Sequence, residues 1–269
     1  MTPPDAEPRA TIIDFGSKER FSSRVDAYAR YRPSYPQAVV DSLMRKFPSV
    51  SASSLSVADV GSGTGIFARL LLDNGLTVYG IEPNTSMRKR AEETLSSYRG
   101  FWSVGGEATH TALPDHSVDV VTAAQAFHWF AVPGAVREFS RVLKYSGLVL
   151  LVWNDRRTSV DKFHEEYEAL LLRYCPEYAD VNHRNVTLQS ICDLFVGWKI
   201  SIEHFENDQH VSFAGLKGRL DSSSYCPAPD HSDYRPLMDG LFDLFNRFNR
   251  NGEIVLRQDC TVYFAHRPR

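Results

Sequence analysis

Apolar positions along this chain follow two spacings, and the spacing switches repeatedly. Phe21, Val25 and Tyr28 fall at i, i+4 and i+7, which predicts a helix over 18–31 that ends at Pro33. Ser34 reads as an N-cap, with Pro36 near the first turn of a helix running to about Phe47. From Leu55 onward, short apolar runs alternate with helix-period segments. Strands are expected over 55–60, 76–82, 101–105, 118–124 and 147–153, and helices over 66–75, 85–98 and 132–143. Gly75 suits the position just past a helix end. Strands alternating with helices imply βαβ units and a parallel sheet, and nearly all-apolar strands imply helices on both faces. The rhythm breaks after Trp153. Residues 155–196 read as helical, 199–213 alternate as a strand or hairpin would, 234–249 form a last helix, and EIVLRQDCTVYFAHR closes as one or two strands.

The most informative segment is Ala58-Asp59-Val60-Gly61-Ser62-Gly63-Thr64-Gly65, set between a strand and a helix. Glycines there let a backbone approach a ligand closely, and the helix N-terminus offers free N–H groups. Glu82 ends the next strand, followed by Pro83. An acid at that place accepts hydrogen bonds from the two ribose hydroxyls of an adenosine moiety. A dinucleotide fingerprint G-x-G-x-x-G needs glycine at position 66, which is Ile66.

The G-x-G-x-G spacing, preceded by Asp59, resembles motif I of class I S-adenosylmethionine (SAM) methyltransferases. Gly106-Glu107-Ala108, Leu113-Pro114 and Ser117-Val118-Asp119 resemble the segment of that superfamily that meets adenine. The resemblance implies that Glu107 accepts from the adenine amino group and that the Ala108 N–H faces the ring. Gln125-Ala126-Phe127-His128-Trp129-Phe130 resembles the segment bordering both cofactor and acceptor. A narrower resemblance, carried by Tyr28-Ala29-Arg30-Tyr31-Arg32-Pro33-Ser34-Tyr35-Pro36, by AFHWF and by Ser222-Ser223-Ser224-Tyr225, is to the branch containing trans-aconitate methyltransferase.

The resemblance implies a Rossmann-like α/β fold: a seven-stranded, mostly parallel sheet with helices on both faces and a reversed last hairpin. With a helical cap added, the expected organisation is a segment 1–50 over the cofactor, a SAM-binding core 51–155, a cap 156–198, and a C-terminal part 199–269. SAM would be held by Tyr28, Arg32, Asp59, Gly61, Ser62, Gly63, Gly65, Glu82, Pro83, Glu107, Ala108, Gln125 and Ala126. The acceptor would meet Tyr31, Trp129, Trp153, Asn154 and Tyr225, with Arg219, Ser222 and Ser224 as further contacts. His128 is a candidate general base, since imidazole titrates near neutrality. It could instead bind a carboxylate or pack beside Trp129. Arg88-Lys89-Arg90 reads as a solvated helix face.

Composition narrows the partners. Lys and Arg number 30 against 33 Asp and Glu, a net charge of −3, which argues against a dedicated nucleic-acid binder. No apolar run has membrane-spanning length, and MTPPDAEPRATIIDFG lacks the regions of a signal peptide, so a cytoplasmic protein is expected. The four cysteines, at 175, 192, 226 and 260, match no zinc or redox spacing, and no metal is expected. The reading is SAM-dependent methyl transfer to a small-molecule acceptor, a carboxylate if the narrower resemblance holds, by a monomer or homodimer. A macromolecular acceptor, an NAD-dependent oxidoreductase and a non-catalytic SAM-binding protein remain alternatives.

Overall fold

A computed structural model describes residues 25–179 and 186–267. Two helices, α1 (Val25–Tyr31) and α2 (Gln37–Arg45), precede a central βα run. That run comprises β1 (Ser56–Val60), α3 (Ile66–Asp73), β2 (Thr77–Ile81), α4 (Thr85–Thr94), β3 (Phe101–Val104), β4 (Val118–Ala124), α5 (Pro133–Val142) and β5 (Leu143–Arg156). Then come α6 (Lys162–Tyr174), α7 (Leu188–Leu194), β6 (Lys199–Glu206), β7 (Gln209–Val211), α8 (Phe213–Asp221), α9 (Tyr234–Phe248), β8 (Ile254–Leu256) and β9 (Gln258–His266). The part of the expected first helix before Val25 lies outside the described residues.

Seven strands form one sheet in the order β3-β2-β1-β4-β5-β9-β6. Strands β1 to β5 pair in parallel, and β9 runs antiparallel to both β5 and β6. The strands are apolar on both sides because both faces are covered. Alternate residues feed opposite layers: Val57 and Val120 pack with α2 and α3, whereas Ala58 and Val121 pack with α5 and α7. Chain order reverses between β1 and β4, which opens a crevice at their carboxyl ends.

A third apolar cluster lies beyond the sheet. Phe163, Tyr167 and Leu171 of α6 pack with Leu216 and Leu220 of α8 and with Leu237, Leu241 and Leu244 of α9. The helical layer over the carboxyl ends therefore draws on both 156–198 and 199–269. Ile191 of α7, with Phe195, packs against the sheet instead. Of the strand or hairpin expected over 199–213, separate strands form: β6 pairs with β9, while β7 pairs with β8 in a separate two-stranded sheet. His164 is fully buried and bridges the layer to the sheet, with Nδ1 at 2.7 Å from Asp161 and Nε2 accepting the Arg257 backbone N–H at 3.0 Å.

Helix α2 begins later than its pattern suggested. Pro36 occupies the N-cap with no side-chain acceptor. The Ser34 carbonyl instead accepts the side-chain amides of Asn154 (3.1 Å) and Asn207 (2.9 Å), which fixes the α1–α2 connection to the sheet edge. Helix α8 lies in a stretch to which the sequence pattern assigned no element, and Ser212 caps it by accepting the Gly215 N–H.

Candidate active site

The glycine loop crosses the end of β1 with Gly61, Gly63 and Gly65 at φ of 70°, 56° and 84°. A side chain is strained in that region, and a Cβ on Gly61 would stand 2.7 Å from the Ala126 Cβ. The loop is thus fitted against the segment after β4. Glu82 is buried, and desolvation raises its carboxyl above the ordinary range. Its Oε2 accepts the Gly63 N–H at 2.9 Å and its Oε1 accepts the Asn84 N–H at 2.8 Å. Each oxygen keeps further acceptor capacity for a ligand hydroxyl. Arg88, read as part of a solvated run, turns inward and donates to the Glu82 carbonyl at 2.8 Å.

A cavity opens beside this loop. Tyr28, Arg32, Tyr35, Asp59, Thr64, Phe67 and Gln125 line it together with Gly61, Ser62 and Gly63. Four buried polar atoms on its wall have no hydrogen-bond partner: Arg32 Nε, Asp59 Oδ2, Thr64 Oγ1 and Gln125 Oε1. Buried polar groups are normally paired, so a cluster of orphans marks a place built for a polar ligand. Asp59 Oδ1 accepts the Thr122 hydroxyl at 2.7 Å, and burial pushes this carboxyl up to about 7. Gln125 holds φ of 51°, uncommon for a residue with a side chain, and donates to the Asn154 carbonyl at 3.1 Å.

A second cavity of about 130 Å³ adjoins the first across Arg32, Pro33 and Gln125, which line both. Its other walls are Asn154, Asp155 and Arg156 from β5, Tyr167 from α6, Tyr178, Arg219 from α8, Ser223, Tyr225, and Leu256 and Gln258 around β8 and β9. Arg156 pairs with Glu168, donates to the Tyr178 hydroxyl at 3.0 Å, and lies over the Tyr167 ring at 4.4 Å. Arg219 donates only to neutral amide oxygens, Gln209 Oε1 and Gln258 Oε1, each at 2.8 Å. Arg32 donates to the Ser222 carbonyl at 3.1 Å and stacks on Tyr28 at 4.9 Å. These contacts fasten α1 to α8 across the junction of the two cavities.

The expected residues fall into distinct places. Tyr28, Arg32, Asp59, Gly61, Ser62, Gly63 and Gln125 line the first cavity, and Asn154, Tyr225 and Arg219 the second. Gly65 starts α3, where a Cβ would stand 2.7 Å from Leu95 Cδ1. Pro83 follows Glu82 at the end of β2, Ala126 backs Gly61, and Glu107 and Ala108 follow β3, with Glu107 bridged to His110. Tyr31 packs its ring on Gly218 of α8. Trp153 is a core residue, 4% exposed, and donates to His128 Nδ1 at 3.4 Å. Trp129 lies beside His128, with ring centroids 5.0 Å apart. Thr64, Tyr167, Tyr178 and Gln258 were not anticipated. Thr64 sits inside the glycine motif and was within reach of the sequence. Tyr167 and Gln258 come from a helix and a strand far apart in the chain, and no spacing connects them. No group of three or more His, Cys, Asp or Glu among the described residues is arranged to hold a metal.

The reversed last strand, the glycine loop and the acid on the neighbouring strand together define the Rossmann-like class I methyltransferase architecture. Residues 58–151 match the methyltransferase domain family. A relative named as an uncharacterized methyltransferase in Mycobacterium tuberculosis (strain ATCC 25618 / H37Rv) is 38% identical over 136 residues, which cover 51% of this chain and 52% of that one. The match thus spans about half the length of that relative. One from Geobacillus thermodenitrificans (strain NG80-2) is 29% identical over 160 residues, 58% of this chain and 73% of that one. Among solved structures, YcgJ protein from Bacillus subtilis aligns with a TM-score of 0.53 at 20% identity, covering 85% of this chain and 98% of that one. Haemonchus contortus phosphoethanolamine N-methyltransferase 2, solved with phosphomonomethylethanolamine and S-adenosylhomocysteine, aligns with a TM-score of 0.58 at 16% identity, covering 96% and 60%. At these identities the structural likeness is one of fold. No described helix is long and apolar enough to cross a membrane.

Proposed function

We propose that this chain transfers a methyl group from SAM to a small-molecule acceptor, with a carboxylate oxygen as the receiving atom. The observation that carries the reading is the set of orphaned buried atoms around the first cavity, continuous with a second enclosed cavity. When bound, SAM supplies an electrophilic methyl on sulfur; the S–CH3 bond breaks as the new O–CH3 bond forms, and its electron pair stays on sulfur. The residues fit that ligand. Glu82 accepts from ribose hydroxyls, Asp59 Oδ2 accepts from the ammonium of the methionine part, and Arg32 Nε donates to its carboxylate. Glu107 and Ala108 serve the adenine.

The chain's own work is positioning. Arg32, Pro33 and Gln125 line both cavities, so they would hold the receiving atom against the methyl group. Tyr167, Tyr178 and Tyr225 roof the acceptor and exclude water. A carboxylate is already ionised at neutral pH and needs no base. His128 then acts by position: the Trp153 indole N–H points at its Nδ1, which leaves the proton of the neutral ring on Nε2. The enzyme would act in the cytoplasm as a monomer or homodimer, without metal and without nucleic acid.

The test is calorimetry with S-adenosylhomocysteine followed by mass spectrometry of reactions with methyl-labelled SAM and a panel of di- and tricarboxylates, phenols and amines. The expected result is micromolar cofactor binding and a labelled product that reverts in mild alkali, as an ester does. An alkali-stable product would reassign the receiving atom, and absence of cofactor binding would overturn the reading.

A further inference from the structure

The second cavity is unevenly charged. Arg32, Arg156 and Arg219 line it against one carboxylate, Asp155. Arg156 has its charge met by Glu168. Arg219 has no acidic partner among the described residues; its two hydrogen bonds end on the neutral carboxamides of Gln209 and Gln258. Desolvation without a counter-charge pushes this guanidinium down to about 10. A charge taken from water is costly unless it is paired, and nothing among the described residues pairs this one.

The neighbours of Arg219 are arranged as donors. Because the Gln258 carboxamide turns its oxygen to Arg219, its Nε2 amide is left buried with no partner on the cavity wall. Tyr167 is 4% exposed, lines the same cavity, and has no hydrogen-bond partner for its hydroxyl among the described residues. Burial raises its phenol above the ordinary range and keeps it a donor. One unneutralised guanidinium, one amide N–H and one phenol converge on the part of the cavity that the first cavity does not share. The structure assigns this cluster as the seat of an anionic group of the acceptor that anchors it and is not itself methylated. The inference rests on the proposed methyl transfer. An oxygen accepting charge-assisted bonds from a guanidinium has its lone pairs engaged and is the poorer nucleophile. The reacting atom therefore lies at the opposite end, by Pro33 and Gln125, where the Arg32 guanidinium is already engaged by the Ser222 carbonyl and the Tyr28 ring. The acceptor is thus a small molecule with an anionic group at one end and a nucleophilic atom at the other, and its product keeps a negative charge.

The test uses the whole protein saturated with S-adenosylhomocysteine and reads its thermal midpoint and calorimetric Kd. The probes are glutarate, 4-phosphonobutyrate and the neutral glutaramide. Glutarate is expected to raise the midpoint by about 2 °C or more at saturation, and glutaramide is not. The response to 4-phosphonobutyrate distinguishes a seat that takes phosphonate from one shaped for carboxylate. Arg219→Gln is expected to weaken glutarate binding roughly a hundredfold while the shift from S-adenosylhomocysteine is kept. Tyr167→Phe, which removes only a hydroxyl, is expected to weaken it about tenfold. Glutaramate, with one carboxylate, is expected to bind through Arg219 and yield no ester. The inference is overturned if wild-type protein shows no anion response, if glutaramide matches glutarate, if both variants respond as wild type does, or if glutaramate is esterified as fast as glutarate. Loss of the S-adenosylhomocysteine shift in wild-type protein would instead overturn the methyl-transfer reading.

Discussion

Glu82 accepts the Gly63 backbone N–H at 2.9 Å, so the acid that ends β2 and the glycine loop that follows β1 form one unit. The carboxylate holds the loop before any ligand arrives. Glu82→Ala removes both the loop tie and the proposed ribose acceptor. With each charged hydrogen bond worth about 1.5–3 kcal/mol, calorimetry should show S-adenosylhomocysteine binding weakened about a hundredfold. Wild-type affinity in the variant would remove Glu82 from the cofactor site.

Asp59 titrates at about 7 in the folded chain against an ordinary 3.8, because burial disfavours its charge. The folded state keeps a proton that the unfolded chain releases between those values. Asp59's share of stability is therefore highest below pH 4 and is lost as pH rises to 7. Urea titrations should show a smaller decline from pH 5 to 7 in Asp59→Asn than in wild type. A ligand ammonium requires the ionised carboxylate, so S-adenosylhomocysteine affinity should rise with pH below 7, by up to about tenfold per unit.

Glu138 works in the opposite sense. It accepts the Thr111 N–H and hydroxyl, both at 2.7 Å, and Arg141 holds its carboxyl down at about 2 from an ordinary 4.5. Its stabilisation is present above pH 4.5 and lost as pH falls toward 2. Glu138→Gln should unfold at lower urea at pH 7, while the two proteins converge in acid.

Gly218 touches the Tyr31 ring so closely that a Cβ would stand 2.3 Å from it. Gly218→Ala should force α1 off α8 and cost about 1–3 kcal/mol of stability. Because Arg32 follows α1, weaker S-adenosylhomocysteine binding should accompany the lower melting temperature.

His128 receives the Trp153 indole N–H. If the acceptor is a carboxylate, His128→Asn should keep kcat within about tenfold of wild type and leave its pH profile flat between 6 and 8. A large loss with disappearance of an ionisation near neutrality would make His128 the base.

Strand positions along the chain were readable because a buried parallel strand must be apolar on both faces, as β4 and β5 are. Asp59, the glycines and Glu82 were readable because their chemistry depends on spacing within one βαβ unit. Arg88 was misread: its inward turn follows from the carbonyl that β2 leaves at Glu82, which helix periodicity does not report. The partner of β7 was not readable, because alternation specifies a strand and not what it pairs with, which is β8 from much later in the chain.

By itself the sequence determined the class of fold and the nearness of the glycine loop to Glu82, since both rest on local patterns of a few to a few tens of residues. Only the tertiary structure decided the second cavity. Tyr167, Arg219 and Gln258 lie on α6, α8 and β9, and packing of the third apolar cluster brings them to one cavity. Long-range packing depends on how apolar faces meet in space, and the order of residues along the chain does not encode that directly.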